Sequence, residues 1–122
     1  MNKRILIVDD DEMVLIAVNE LLKQEGYEVY PASNGSEALE KLDQGTYDLI
    51  MLDIIMPEMS GFELCKKIRE MENYKETPII VITTEGASED RERALALGAN
   101  EYITKPIQTM KILETVKKLM NV

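Results

Sequence analysis

The chain has 122 residues, 45% apolar and 30% charged, a balance that suits one soluble domain with a single core. Fourteen Lys and Arg against 23 Asp and Glu leave a net charge of −9, the reverse of a nucleic-acid-binding footprint. Histidine is absent, which excludes a Ser-His-Asp triad, a His-ligated zinc site and a phosphohistidine carried by this chain, and the lone Cys65 cannot form an internal disulfide.

The first strand-like run is Arg4–Val8, whose Ile5-Leu6-Ile7-Val8 is apolar on both faces, as a buried parallel strand must be. Acidic Asp9-Asp10-Asp11-Glu12 follows it. Val14, Val18, Leu21 and Leu22 then recur at helical spacing until Gly26 supplies a stop. A second strand over Glu28–Ala32 contains Pro31, which lacks an N–H for the ladder and therefore belongs at a sheet edge. Ala38, Leu39 and Leu42 form a shorter helical stripe closed by Gly45. The third strand, Leu49–Leu52, runs into Asp53, and Phe62, Leu64, Cys65 and Ile68 mark a helix after Gly61. A fourth strand, Ile79–Ile82, ends on Thr83 and Thr84. Ser88 reads as the N-cap of a helix over Glu89–Leu97, before Gly98. The fifth strand, Glu101–Thr104, leads to Lys105-Pro106, and Ile112, Leu113, Val116 and Leu119 line a last amphipathic helix.

Strand and helix thus alternate five times, which predicts an α/β fold: a doubly wound, five-stranded parallel sheet with helices on both faces. Placing Pro31 at an edge favours the flavodoxin-like order 2-1-3-4-5. No repeat, low-complexity tract or linker interrupts the chain, so one domain over residues 1–122 is expected. No apolar run approaches the roughly 20 residues of a bilayer span, and the amino terminus carries no signal-peptide pattern. The expected setting is cytoplasmic, with neither membrane nor nucleic acid as a partner of this chain.

Ligands of such sheets bind beyond the carboxyl ends of the strands, where the strand order reverses. Singly, the residues there are ordinary. Acidic groups before a helix cap it, as Asp11 and Glu12 are expected to do, while a threonine commonly just ends a strand and a lysine commonly faces solvent. Together they are harder to dismiss. Strands one and three are neighbours in this order, so Asp9, Asp10 and Asp53 crowd one crevice. Like charges about 4 Å apart repel by roughly 4 kcal/mol at an effective dielectric near 20. A divalent cation resolves that conflict, and oxygen-only ligands point to Mg²⁺. A cation, an ammonium and a hydroxyl around one carboxylate make a phosphoryl-transfer site. No GxxxxGK[ST] phosphate loop is present, so a nucleotide is not the expected donor.

Four segments, in order, resemble the receiver domains of two-component response regulators, including the single-domain, chemotaxis-type regulators. They are Ile5–Asp11, Asp48–Gly61 with its Met56-Pro57-Glu58-Met59-Ser60-Gly61 loop, Val81–Thr84 and Tyr102–Pro106. The resemblance runs from the first strand to the last helix, and it implies roles by position. Asp53 would be the phosphoacceptor. Asp10 and Asp53 would hold Mg²⁺ directly, with the backbone carbonyl of Ile55 as a third ligand and Asp9 acting through water. Lys105 would pair with the phosphoryl group and Thr83 would hydrogen-bond to it. Tyr102 matches the family's aromatic switch, although by itself it reads as a half-buried strand tyrosine. Lys105-Pro106 matches a bond usually cis in the family, and Gly61 would allow the turn into the third helix. Ile55 and Glu85 flank the route of the hydrolytic water and would tune the phosphoryl lifetime.

The function so implied is phosphorelay signalling. A sensor histidine kinase or histidine phosphotransfer protein would supply the phosphoryl group, Mg²⁺ would be the cofactor, and the domain would catalyse its own acylphosphate formation and hydrolysis. It is a switch with enzymatic features rather than an enzyme of metabolism. Output to a downstream protein or effector domain would run through the fourth helix, fifth strand and fifth helix. The sequence ends at Val122, just after that helix, as a stand-alone regulator or the receiver of a longer protein would. Two rival classes use the same fold: a flavodoxin-like cofactor binder, whose rim loops would hold flavin phosphate, and an inactive receiver serving only as an interaction module. Absence of colour in the purified protein would dismiss the first, and the complete set of acceptor, metal ligands, threonine and lysine argues against the second.

Overall fold

The computed structural model describes residues 2–83 and 88–120. Thr84 and Glu85, and the side chain of Ser88, lie outside the described residues. Strands β1 (Arg4–Val8), β2 (Glu28–Ala32), β3 (Leu49–Asp53), β4 (Ile79–Thr83) and β5 (Glu101–Thr104) alternate with helices α1 (Glu12–Gln24), α2 (Gly35–Gln44), α3 (Gly61–Glu70), α4 (Ser88–Ala96) and α5 (Thr109–Met120). The sheet is parallel throughout, in the order β2-β1-β3-β4-β5. Pro31 does sit on an edge strand, opposite Ile7.

The double-faced apolar strands explain the layering. Side chains alternate across a strand, so each of β1, β3 and β4 feeds both sides of the sheet. Leu6, Val8, Ile50, Leu52 and Val81 pack with Ala38, Leu42, Leu64, Ile68 and Ala94 of α2, α3 and α4. Ile5, Ile7, Leu49, Met51, Ile80, Ile82 and Ile103 pack with Val18 and Leu22 of α1 and Ile112 and Val116 of α5. Each fully buried Leu or Ile contributes about 1.5–3 kcal/mol through water exclusion. These two cores hold the carboxyl ends of β1, β3, β4 and β5 in one rigid rim.

Several local features depart from the sequence reading. Strands β3 and β4 each run one residue further than expected, so Asp53 and Thr83 are the last ladder residues, not the first loop residues. Ser88 opens α4 as its first residue instead of preceding it. A short 3₁₀ turn at Glu72–Tyr74, absent from the apolar pattern, joins α3 to β4. Beside it, Arg69 is half-buried, and among the described residues its bonds go to neutral oxygens. Its Nη1 donates to the carbonyls of Tyr74 and Thr77 (2.7 Å each), its Nε to Gly98 O (3.0 Å), and its Nη2 to Gly98 O and Asn100 Oδ1 (2.7 and 2.9 Å). One guanidinium thereby ties α3, the 3₁₀ turn and the α4–β5 connection together. Burial lowers its pKa, against the opposing pull of Cys65 and Glu76.

Between β3 and α3 the chain makes a tight bend in which Glu58 adopts φ 69°, a left-handed conformation that clashes with a Cβ. Glu58 is exposed, so its side chain has no core contact to lose. Glu58→Gly is therefore expected to stabilise the protein by about 0.5–1 kcal/mol, the relieved strain exceeding glycine's extra chain entropy. A rise in the urea midpoint at unchanged m-value checks this; a fall would mean that the Glu58 backbone is unstrained.

Candidate functional site

The rim of the sheet is built by the ends of four strands. Asp9 leaves β1 with its N–H still bonded to Ala32 O of β2 (3.1 Å), and its Oδ1 accepts the N–H of Asp11 (2.9 Å). Asp11 turns away and caps α1, its Oδ1 accepting from Met13 N–H (3.0 Å), with Glu12 in the first turn. The acidic run thus divides as the sequence suggested: the later pair serves the helix and the earlier pair faces the crevice. Asp53 ends β3 in register with Ile82. Asp9 and Asp53 are buried, whereas Asp10 is exposed, and carboxylate oxygens of all three lie within 4.8 Å of one another.

Lys105 enters from β5. Its Nζ lies 3.1 Å from Asp9 Oδ2 and 3.5 Å from Asp53 Oδ2, bridging the two buried carboxylates. The approach to Asp9 is an ion pair without an aligned hydrogen bond, so Asp9 Oδ2 remains buried with its lone pairs unspent. The Lys105-Pro106 bond is cis. Lys105 N–H donates to Thr83 O (2.6 Å), so the backbone that carries the ammonium is fastened to the residue that carries the hydroxyl. Thr83 is fully buried at the end of β4, opposite Thr104. Tyr102 lies two residues before, in register with Val81, half-buried against the core beneath α2, α3 and α4. Ile55 follows in the loop after β3 with its side chain exposed, while its backbone bonds the Asp53 carboxylate.

The electrostatics are those of an anionic site only partly neutralised. Burial first, and then the charge of Asp9, pushes the Asp53 pKa up to about 6, against the opposing pull of Lys105 and the Ile55 backbone. Burial works to lower the Lys105 pKa, but its attachment to Asp9 and Asp53 prevails and holds it above the ordinary lysine value.

One residue has a different role from that read in the sequence. Gly61 was expected to supply a turn, yet it is the first residue of α3 and lacks a positive φ. Its need is for space. A Cβ there would press into the backbone carbonyl oxygen of Asp53 and come within 2.6 Å of Ile54 Cα. Gly61 N–H also donates to Ile54 O (2.7 Å), so the amino end of α3 is clasped to the backbone of the central carboxylate. Beside the carboxylates, α1 and the segment after β5 enclose an apolar groove of about 440 Å³ lined by Met13, Val14, Ala17, Leu21, Pro106 and Ile107.

This geometry has relatives. The response regulator receiver domain pattern matches residues 5–117. The chain belongs to the response regulator receiver family. Among curated proteins this receiver is 38% identical over 120 residues to the alkaline phosphatase synthesis transcriptional regulatory protein PhoP of Bacillus subtilis. The match covers 98% of this chain and 49% of PhoP, so the chain spans about half the length of that relative. Among solved structures it resembles the chemotaxis protein CheY4 of Vibrio cholerae, with a TM-score of 0.94 and 36% identity over 98% of this chain and 99% of that one. It also resembles the receiver domain of a sensor histidine kinase from Pseudomonas aeruginosa, with a TM-score of 0.91 and 27% identity over the whole of both chains; that structure has a magnesium ion coordinated in the active site cleft. Five parallel strands in the order 2-1-3-4-5 are thus the receiver fold, and the chain is a two-component response regulator receiver domain. No described helix of this receiver is long and apolar enough to cross a membrane.

Proposed function

We propose that this receiver accepts a phosphoryl group on Asp53 from the phosphohistidine of a kinase or phosphotransfer protein, and that the resulting change at Thr83 is passed to the face formed by α4, β5 and α5. The observation that carries the reading is the placement of the buried Asp53 carboxylate within 4.8 Å of two other carboxylates and 3.5 Å of the Lys105 ammonium. An Asp53 oxygen would form the new P–O bond as the donor's N–P bond breaks, the electron pair staying on the imidazole nitrogen. Lys105 would shift its pairing from the carboxylates to the transferred group and stabilise its charge. Water attack on phosphorus would later return the carboxylate and release phosphate.

The donor set fits Mg²⁺: oxygens only, three carboxylates, and one buried Asp9 oxygen without an aligned hydrogen bond. Asp10, Asp53 and the Ile55 carbonyl would hold it directly, with Asp9 acting through water. When bound it would supply neutralising charge for the phosphoryl oxygens. The apolar groove beside Lys105, with Met13 73% exposed at its rim, offers a phosphohistidine donor a surface to rest on next to Asp53.

Metal linkage tests the assignment of the ligands. Mg²⁺ at ten times its Kd is expected to stabilise the parent by about 1.4 kcal/mol. Asp10→Asn should lose most of this gain while changing metal-free stability little, because the exposed Asp10 is hydrated. Asp11→Asn should keep the gain. Equal Mg²⁺ responses in the two variants, read from thermal melts with and without EDTA, would move the metal site away from Asp10.

The switch has its own test. Thr83 and Tyr102 sit on paired strands, and Lys105 N–H is bonded to Thr83 O. Thr83→Ala is expected to remain phosphorylatable at Asp53 while the Tyr102 ring resonances cease to respond. A full Tyr102 response in that variant contradicts a route through the threonine hydroxyl.

A further inference from the structure

The loop that carries the Ile55 carbonyl spans residues 54–60 and is closed at its base, where Gly61 N–H donates to Ile54 O (2.7 Å). β3 holds one end of it and α3 the other. Inside the loop, Met59 N–H donates to Pro57 O (2.8 Å), the Pro57 ring restrains its own φ, and Glu58 keeps its left-handed conformation. The Ile55 side chain is 58% exposed and cannot anchor its own backbone. That task falls to its neighbours. Met56 is buried in the core beneath α2, α3 and α4, and Met59 packs against the same core.

Met59 rests on Gly35, the buried first residue of α2. Gly35 lacks a positive φ, so its backbone does not call for glycine. Its need is for room: a Cβ there would come within 2.6 Å of Met59 Sδ and 3.1 Å of both Met59 Cβ and Cγ. The sulfur can swing aside. The Met59 Cβ is fixed to the main chain, which would have to yield by a few tenths of an ångström. With both ends of the loop held and Pro57 stiff, that shift is taken up by the few remaining dihedrals, those of Ile55 among them. Mg²⁺ demands near-octahedral oxygens at about 2.0–2.1 Å, so it registers a displacement of this size.

We infer that Gly35 and Met59 are positioning residues for the metal: the seat at the start of α2 holds the Ile55 carbonyl where Mg²⁺ needs it. The inference rests on the proposed assignment of Asp10, Asp53 and the Ile55 carbonyl as ligands, and it adds that their fit is set from α2, which carries none of them. The same geometry predicts selectivity. Ca²⁺ accepts oxygens at about 2.3–2.6 Å in flexible arrangements, so a misplaced carbonyl weakens Mg²⁺ far more than Ca²⁺.

The test is a pair of NMR titrations of the ¹⁵N-labelled chain, with Mg²⁺ and with Ca²⁺, in the absence of any phosphoryl donor. Gly35→Ala is expected to raise the Mg²⁺ Kd about tenfold while the Ca²⁺ Kd changes by less than about twofold. Ile112→Val, a buried change in α5 that also costs stability, should leave both constants as they are. Met59→Ala empties the seat and should weaken Mg²⁺ as well. In the double variant the new methyl fills the vacated space, so Mg²⁺ should bind better than the product of the two single losses implies. An unchanged Mg²⁺ Kd in Gly35→Ala overturns the inference. Equal weakening of both ions does so too, because that would be a general loosening of the site, as does a loss in Ile112→Val that matches it or a double variant whose losses simply multiply. Asp10→Asn separates this role from the ligand assignment. If it weakens both ions while Gly35→Ala weakens neither, the ligands stand and the positioning role falls; if the parent does not bind Mg²⁺ or Asp10→Asn binds it as the parent does, both fall together.

Discussion

Gly61→Ala is expected to cost about 3 kcal/mol or more of folding free energy, the largest effect of any single methyl group added near this site. The methyl would meet main-chain atoms of Asp53 and Ile54, which the ladder to β4 holds in place, including Ile54 N–H to Ile82 O at 3.0 Å. Backbone fixed on both sides cannot give way as a flexible side chain can. Gly35→Ala is the control, because its new methyl would meet Sδ of Met59 at 2.6 Å, the movable end of a flexible side chain. That substitution should cost less than about 1.5 kcal/mol. Urea unfolding of both variants checks the contrast. Similar losses would mean that α3 can slide away from β3 and that Gly61 does not set the position of Asp53.

Asp53→Asn is expected to make the metal-free protein more stable at neutral pH, by about 1–3 kcal/mol, although it removes the group on which the proposed function depends. The sign follows from proton binding. The Asp53 carboxyl has the ordinary pKa of 3.8 in the unfolded chain and is pushed up to about 6 by burial and Asp9 in the folded one. Between those values the folded state holds a proton that the unfolded state has released, so Asp53 makes the parent lose stability as pH rises from about 4 through 6. Above pH 6 the penalty is fully present; below about 4 it is absent. The amide has no such penalty, and Lys105 keeps its 3.1 Å partner Asp9. The advantage of Asp53→Asn should therefore grow with pH across this window in EDTA and shrink when Mg²⁺ is added to both proteins. A variant less stable than the parent at pH 7 in EDTA would show that Lys105 already neutralises Asp53.

Most of the site was legible because its chemistry is attached to the ends of apolar strands. A run such as Ile5-Leu6-Ile7-Val8 specifies a strand buried on both faces, and the residue that follows must then emerge at the rim. Pro31 placed β2 outermost, which makes β1 and β3 neighbours and brings Asp9 to Asp53. What was not legible arises from contacts between segments distant in sequence. The requirement for glycine at Gly61 lies in the backbone of β3 and not in its own dihedrals. Nothing in the apolar pattern singles out Arg69, and only the folding of the 3₁₀ turn and the α4–β5 connection around it makes it a half-buried tie. The unequal burial of Asp9 and Asp10 was equally hidden. Adjacent identical residues differ because one is drawn under Lys105 and the other faces water.

If Asp53 is a phosphoacceptor activated by its neighbours, the intact mass of the protein after incubation with acetyl phosphate and Mg²⁺ will record it. The parent is expected to gain the mass of one phosphoryl group, to lose the gain when EDTA replaces Mg²⁺, and to show no gain as Asp53→Asn. An unchanged parent mass, or a gain that persists in Asp53→Asn, would mean that Asp53 is not the acceptor.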